Sequence, residues 1–452
     1  MRAGPDRASP KALADAIVLV QYSIYWVRAM LTETENNRLT RVGPDTPMGR
    51  LLRRYWHPVA ATSRLQERRT LLVRILGEDL VLFRDLSGSY GLVAHQCPHR
   101  KMSLVYGIPE DVGLRCAYHG WRFDEKGRCL EQPYEETEDP AGRFREKVTV
   151  TAYPVQQLGG MLFAYLGPEP APLLPNWDLF VVDGVVRDVG YVALPCNWLQ
   201  IMENSLDPVH VEWLHQGFFN FVADRLGRPD LQRPSTPHRQ IAFDLFDYGI
   251  TKRRVVGEGS EEDDDWRIGH PIVFPNLLKT GSLSIKGRGA NFQIRVPIDD
   301  THTAHWWYSC YSQEPGQAGQ LPEDVPFYRV PVPVLDEDGQ PNWEELDNTS
   351  GQDIAAWITQ GPIADRTDET LGRSDRGIIL YRRLLEDQLA LVEDGGDPMN
   401  VFRNPDENRN LNLQTEGVSA RYAKSLLTGR RAATKFSPVL AAQGYGDSLL
   451  KG

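Results

Sequence analysis

Cys97-Pro98-His99 and, sixteen residues further on, Cys116-Ala117-Tyr118-His119 each set one thiol beside one imidazole. A [2Fe–2S] centre with two sulfurs on one iron and two imidazoles on the other needs this donor set. Tetrahedral zinc also takes two Cys and two His, but zinc fingers group their paired cysteines and paired histidines separately. Arg100 follows the first pair and Gly120-Trp121 the second. His95 has no counterpart at matching spacing and reads as a loop histidine.

A second constellation runs Asn204, Asp207, His210, His215 in the pattern N-x-x-D-x-x-H-x4-H. Two imidazoles and a carboxylate on one face of ferrous iron leave positions open for dioxygen and substrate. Histidines five residues apart lie about 140° apart on an ideal helix, so a helix end or a distorted turn is expected between them. Asp207-Pro208 also suits a helix N-cap followed by proline at the first helical position.

Two metal motifs in this order resemble those of the oxygenase (alpha) subunits of Rieske non-heme iron oxygenases, from about Leu31 to the end of the long C-terminal helix. Cys196-Asn197-Trp198-Leu199-Gln200, Leu130-Glu131-Gln132-Pro133 and Gln360 to Thr367 resemble the branch holding phthalate dioxygenases and O-demethylases of lignin-derived biaryls such as 5,5'-dehydrodivanillate. The resemblance implies that Cys97, His99, Cys116 and His119 hold the cluster. His210 and His215 then bind a mononuclear Fe(II), and Asp353 of Gln352-Asp353 closes the triad. Asp365, Asp368 and Asp375 are left to salt bridges and helix dipoles. Asp207 is assigned the bridge from His210 to His119 of a neighbouring subunit. Asn204 matches a nearby family position, where a structural amide serves nearly as well. Lys101 stands where the family usually has glycine, and is expected to alter the loop backbone.

The same resemblance implies an oxygenase that consumes O2 and takes electrons from a separate NADH-fed flavin and iron–sulfur reductase or a ferredoxin. It implies a homotrimer or stacked trimers, and a substrate that is an aromatic carboxylate. O-demethylation of a methoxy-aromatic acid leads, ring cis-dihydroxylation is the alternative, and a non-catalytic electron carrier is opposed by His210, His215 and Asp353. Phe218, Phe219 and Phe221 are candidate pocket walls. Lys252 and Arg254 share one face of an expected strand and are candidate carboxylate anchors, although surface exposure is the simpler fate of each.

These residues need elements to hold them. A chain of 452 residues corresponds to about two or three domains, and 41% hydrophobic with 25% charged residues is globular. Fifty Lys and Arg against 61 Asp and Glu leave a net charge of −11, which argues against a broad phosphate-binding surface, such as one for nucleic acid, as the main business. Five cysteines exclude a disulfide scaffold and point to a reducing, cytoplasmic setting. No apolar run approaches the roughly 18 residues of a membrane span.

Residues 1–30 read as a loose N-terminal extension from an upstream start. Residues 31–168 read as an N-terminal helix plus the Rieske [2Fe–2S] domain, and 169–452 as the mononuclear iron domain. The proline-rich stretch Gly167 to Pro172 marks the boundary. Helix is expected over residues 31–56, including Trp56. A hairpin is expected around Gly77, and strands over Arg239–Val256 and Thr303–Tyr311. Glu258 to Asp265 reads as a solvated acidic loop. A long helix starts at Ser374, with Ile378, Tyr381, Leu385, Leu389 and Val392 on one face and Gly395-Gly396 at its end. The class is α+β. The resemblance makes the first part all-β, and the second an antiparallel, helix-grip-like sheet covered by helices.

Overall fold

The structure is a computed structural model that describes residues 30–232, 234–281, 283, 289–313, 319–409, 411–415 and 433–442. The expected loose extension over residues 1–29 lies outside the described residues. Thr32 opens the first helix, Glu33–Thr40, with a reciprocal capping box to Glu35. A second helix, Pro47–Leu52, follows. Helix does not reach Trp56, contrary to the sequence expectation. Trp56 begins strand β1 (Trp56–Ala61), because Pro58 pushes the residue before it into extended backbone.

Both helices pack on the last long helix, Arg376–Glu393. Arg38 there meets Glu386 at 2.9 Å and Glu393 at 2.8 Å. That long helix has the expected period: Ile378, Tyr381, Leu385, Leu389 and Val392 are buried, and Gly395 ends it at φ 86°.

Three small sheets make up the part of the chain that holds the first metal motif. Strands β2 (Thr70–Ile75), β3 (Glu78–Arg84), β4 (Tyr90–Ala94) and β9 (Ala152–Tyr153) form one. The short strands β5 (Ile108–Pro109), β6 (Leu114–Arg115), β7 (Arg122–Phe123) and β8 (Cys129–Glu131) form the second. β10 (Val155–Leu158) and β11 (Met161–Tyr165) join β1 in the third. The β2–β3 turn places Leu76 at φ 49° and Gly77 at φ 82°. Positive φ at both central residues suits the right-handed twist of a hairpin.

The second part is built on one eight-stranded sheet in the order β13-β14-β15-β16-β17-β18-β12-β19. Its members include β12 (Val185–Leu194), β13 (His238–Phe246), β14 (Gly249–Val256), β15 (His270–Val273) and β16 (Leu277–Gly281). β17 (Gly289–Pro297), β18 (Thr303–Ser312) and β19 (Phe327–Arg329) complete it. Pairing is antiparallel except between β12 and β19, which run parallel. Alternation splits the central strands between two faces. Phe292, Ile294, Trp306 and Tyr308 enter the main core, which continues into Leu80 and Met161 of the small sheets. Gln293 pairs with Trp307 and Arg295 with His305 on the other face. That face meets the helices Trp198–Ser205 and Thr349–Ile358 through Ile201, Ile354 and Trp357.

Glu203 fastens these helices together. Its carboxylate accepts from Arg366 Nη2 at 2.7 Å and from Arg382 Nε at 2.7 Å. Arg366 also donates to Asn36 in the first helix at 3.0 Å. Burial alone would push the Glu203 carboxyl up, but the two guanidinium groups outweigh it and hold it below the usual range. Breaking a buried ion pair from one side leaves an uncompensated charge. Glu203→Ala should therefore cost about 3–5 kcal/mol in urea unfolding, and a loss under about 1 kcal/mol would show the hub to be dispensable. Because the folded carboxyl is depressed, its contribution is present above the unfolded value of roughly 4.3. It should fade as pH falls below that value, and Glu203→Ala should flatten this part of the stability profile.

Candidate metal centres

Both loops of the first motif are built alike. Lys101 N–H donates to the Cys97 carbonyl and Gly120 N–H to the Cys116 carbonyl, each at 3.0 Å. Cys97 N–H reaches Met102 O at 2.9 Å, and Cys116 N–H reaches Trp121 O at 2.8 Å. The residue closing each turn is left-handed: Lys101 at φ 61° and Gly120 at φ 78°. Lys101 therefore leaves the loop backbone in the conformation glycine holds in its twin, contrary to the expected alteration. A left-handed non-glycine residue costs roughly 1–2 kcal/mol, and here the twin hydrogen bonds outweigh it.

Cys97 and Cys116 are buried among Phe83, Leu104, Leu114 and Phe123. Burial pushes the Cys97 thiol up to about 11, with Cys116 beside it. The imidazoles sit nearer the surface. The His99 and His119 rings lie 4.4 Å apart, and His99 stacks on Trp121 at 4.4 Å. Partial desolvation, then the charges of His99 and Arg100, lower the His119 imidazole, which favours the neutral ligand form. Two sulfurs inward and two nitrogens outward fit a mixed-ligand [2Fe–2S] cluster. His95 is the loop histidine expected, bonded through Nε2 to Ser103 Oγ at 2.7 Å.

The second motif spans a change of helix type. Asp207 caps the chain entering it: Oδ1 accepts from Val209 N–H at 2.8 Å and His210 N–H at 3.4 Å. His210 opens a short α-helical turn, and Trp213–Gly217 continues as a π-helix. A π turn bonds i to i+5, which brings residues five apart onto one side. This is the distorted turn the spacing required. The His210 and His215 rings are 5.2 Å apart.

Asp353 joins them from the helix Thr349–Ile358, whose N-cap is Asn348. Its Oδ1 lies 3.1 Å from His215 Nε2 and 3.9 Å from His210 Nε2. Among the described residues this is the one group of three or more such side chains whose ligand atoms converge within 4.8 Å. The far ring nitrogens fix the tautomers. His210 Nδ1–H donates to the Asp207 carbonyl at 2.6 Å. His215 Nδ1–H donates to Gln352 Oε1 at 2.9 Å. The Gln352 amide cannot turn round, because its Nε2 donates to Leu346 O at 2.9 Å. Both Nε2 atoms thus turn lone pairs toward Asp353 Oδ1, a buried oxygen with no hydrogen-bond donor. Burial pushes the Asp353 carboxyl up, and the cationic Arg295 is among the groups that hold it below the usual range. Three lone-pair donors aimed at one point fit a divalent cation of the facial-triad kind.

Other expectations meet different fates. Asn204 is half-buried, and its carbonyl accepts from Asp207 N–H at 3.1 Å, so its backbone shapes the turn. Asp365 takes no salt bridge with Arg366; it accepts from Thr367 N–H at 2.9 Å instead. Asp375 accepts from Gly372 N–H at 2.6 Å at the helix start. Lys252 and Arg254 share a strand face as expected but are buried rather than exposed. Lys252 donates to Ser205 O at 2.9 Å, and Arg254 pairs with Asp265 at 3.1 Å. Asp265 thereby turns inward from the acidic loop. Phe219 is buried, and Phe221 lies against Trp343 at 5.6 Å. The hydrogen-bonding part of Gln352 escaped the sequence; its place beside Asp353 was the available signal.

The Rieske [2Fe-2S] domain family matches residues 55–154, and the LigXa C-terminal domain like family matches residues 338–410. The chain is 42% identical over 389 residues to the 5,5'-dehydrodivanillate O-demethylase oxygenase subunit of Sphingobium sp. (strain NBRC 103272 / SYK-6), covering 85% of this chain and 87% of that protein. It is 34% identical to the phthalate 4,5-dioxygenase oxygenase subunit of Pseudomonas putida, covering 81% and 88%. The solved structure of Pseudomonas putida CBB5 NdmA with caffeine shares the fold at a TM-score of 0.56 and 19% identity, covering 78% of this chain and 94% of that one. No helix among the described residues is long and apolar enough to cross a membrane. Cluster loops, converging triad and extended identity lead to one conclusion: this chain belongs to the oxygenase subunits of the Rieske non-heme iron oxygenases.

Proposed function

We propose that this chain is the terminal oxygenase of an aromatic O-demethylase acting on a methoxy-substituted aromatic carboxylate. The 42% identity over 85% of the chain to a dehydrodivanillate O-demethylase subunit carries this reading. In it, Cys97, His99, Cys116 and His119 hold the cluster, and His210, His215 and Asp353 hold the mononuclear iron. Electrons arrive from a separate donor, an NADH-fed flavin and iron–sulfur reductase or a ferredoxin. The iron supplies dioxygen activation when bound. The protein supplies the rest. Asp207 and Gln352 fix the imidazole tautomers, and the helix Thr349–Ile358 brings the carboxylate. The sheet face bearing Gln293, Arg295, His305 and Trp307 packs against the helix that carries Asp353, with His305 stacked on Trp357. One oxygen atom enters a methyl C–H bond, and the resulting hemiacetal releases formaldehyde and leaves a phenol.

The test is product analysis with 5,5'-dehydrodivanillate, a surrogate reductase and NADH. Formaldehyde and a product lighter by one methylene, each matching the NADH consumed, are expected. A cis-diol without formaldehyde would instead favour the ring dioxygenation named for the phthalate relative.

We further propose that chains assemble as a homotrimer or stacked trimers, with Asp207 bridging His210 to His119 of the neighbouring chain. Asp207 keeps a 26% exposed side chain, and His119 is exposed. Burial pushes the Asp207 carboxyl up, yet hydrogen bonding to His210 and nearby charges hold it below the usual range. Asp207→Asn retains an oxygen for the cap but loses the charge. Single-turnover reoxidation of the pre-reduced cluster, with substrate and oxygen present, should slow tens-fold, with both metals and the assembly kept. Wild-type reoxidation would leave Asp207 as a cap alone.

A further inference from the structure

Where the large sheet meets the triad helices, two buried side chains of the sheet and one of a helix hold nitrogens without hydrogen-bond partners. Arg295 is 1% exposed. Its Nη1 and Nη2 donate to Gln293 O at 3.2 Å and Gln293 Oε1 at 2.9 Å, while Nε has no partner. Among the described residues no carboxylate pairs with it in a salt bridge. His305, its register partner across β17 and β18, is fully buried with neither ring nitrogen bonded. Trp357 stacks on His305 at 5.3 Å, and its indole Nε1–H is also buried without an acceptor. Trp357 lies one turn beyond Asp353 on the same helix. Buried polar groups are almost always satisfied, and leaving one unsatisfied costs about 1–3 kcal/mol.

Arg295 and Asp353 stand in each other's field. Burial pulls the Arg295 guanidinium down to about 9, and the charge of Asp353 is the first influence that pushes it back. In the reading above Asp353 belongs to the iron, so it does not serve as the partner ion. Lys252 and Arg254, the anchors suggested by the sequence, are already bound to Ser205 O and Asp265. What remains is a cation with no counter-ion and one free N–H, and two ring groups with no hydrogen-bond partner. A carboxylate is acceptor-only, with room for several donors, and its bonds to a guanidinium are among the stronger ones.

We propose that Arg295, with His305 and Trp357, forms the subsite that receives the carboxylate of the aromatic substrate. This rests on the reading above for the class of substrate and adds the residues that select it. Arg295 is a binding residue here, and the methoxy group is the part left to reach the triad.

The experiment is calorimetric titration of the anaerobic, metal-loaded protein with 5,5'-dehydrodivanillate and with its dimethyl ester. Wild type should bind the acid at least tenfold tighter. In Arg295→Met that preference should disappear through loss of acid affinity, with ester affinity kept and the ligand-free melting temperature kept or raised. Arg295→Lys, which retains the charge, should recover part of the preference and covers the case in which the methionine variant fails to fold. Equal loss for acid and ester, or no loss for either, would make Arg295 a structural residue bonded to Gln293 and overturn the subsite. Arg295-dependent acid binding without formaldehyde release would sink the demethylase reading and leave the subsite standing. Formaldehyde release with equal acid and ester affinity would do the reverse.

Discussion

His210 and His215 each give one ring proton to a fixed acceptor, the Asp207 carbonyl and Gln352 Oε1. Their other nitrogens then present lone pairs to an ionised, donor-free Asp353 oxygen. Without a cation, that convergence is repulsive. With one, the same atoms attract, and no side chain has to turn. Preorganisation of this kind places the cost of assembling the site in folding rather than in metal capture. The π turn at Trp213–Gly217, the Asp207 cap and the N-capped helix Thr349–Ile358 serve to hold that geometry.

The elements bearing the three groups come from distant stretches of chain, so something must fix them to one another. Glu203 does this from the helix that leads into the motif. It binds the segment after Asp353 through Arg366, the long helix through Arg382 and, by way of Arg366, the first helix through Asn36. Strand β3 joins two cores: Leu80 and Leu82 lie in the one shared with the large sheet, and Val81 and Phe83 in the separate one around Cys97 and Cys116. Those loops bury their thiols and leave His119 exposed. The histidine side of the cluster is therefore the side an electron acceptor can approach.

Much of this was legible in the sequence because it depends on local spacing. Ligand types at fixed offsets, the hairpin at Gly77, the period of the long helix and the distortion required between His210 and His215 are short-range facts. The family resemblance added Asp353, 138 residues beyond His215, which no spacing argument could place. What escaped depends on pairing across the fold. Lys252 and Arg254 read as surface cations, because Ser205 O and Asp265 reach them only in the folded sheet. Arg295 and His305 became a pair only through the register of β17 on β18. Lys101 read as a disturbance until the twin loop showed the same left-handed closure. Trp56 read as helical because its apolar spacing outweighed the proline two residues on.

In the proposed reading His210, His215 and Asp353 converge on one iron, separate from a cluster split between two cysteines and two histidines. Anomalous diffraction at the iron absorption edge, on crystals grown from anaerobically reconstituted protein, tests it most directly. Three iron positions per chain are expected: one bonded to Cys97 and Cys116, one to His99 and His119, and one bonded at once to His210 Nε2, His215 Nε2 and Asp353. A third iron bound by Asp365 or another carboxylate, or no iron among the three side chains in fully loaded protein, would contradict it.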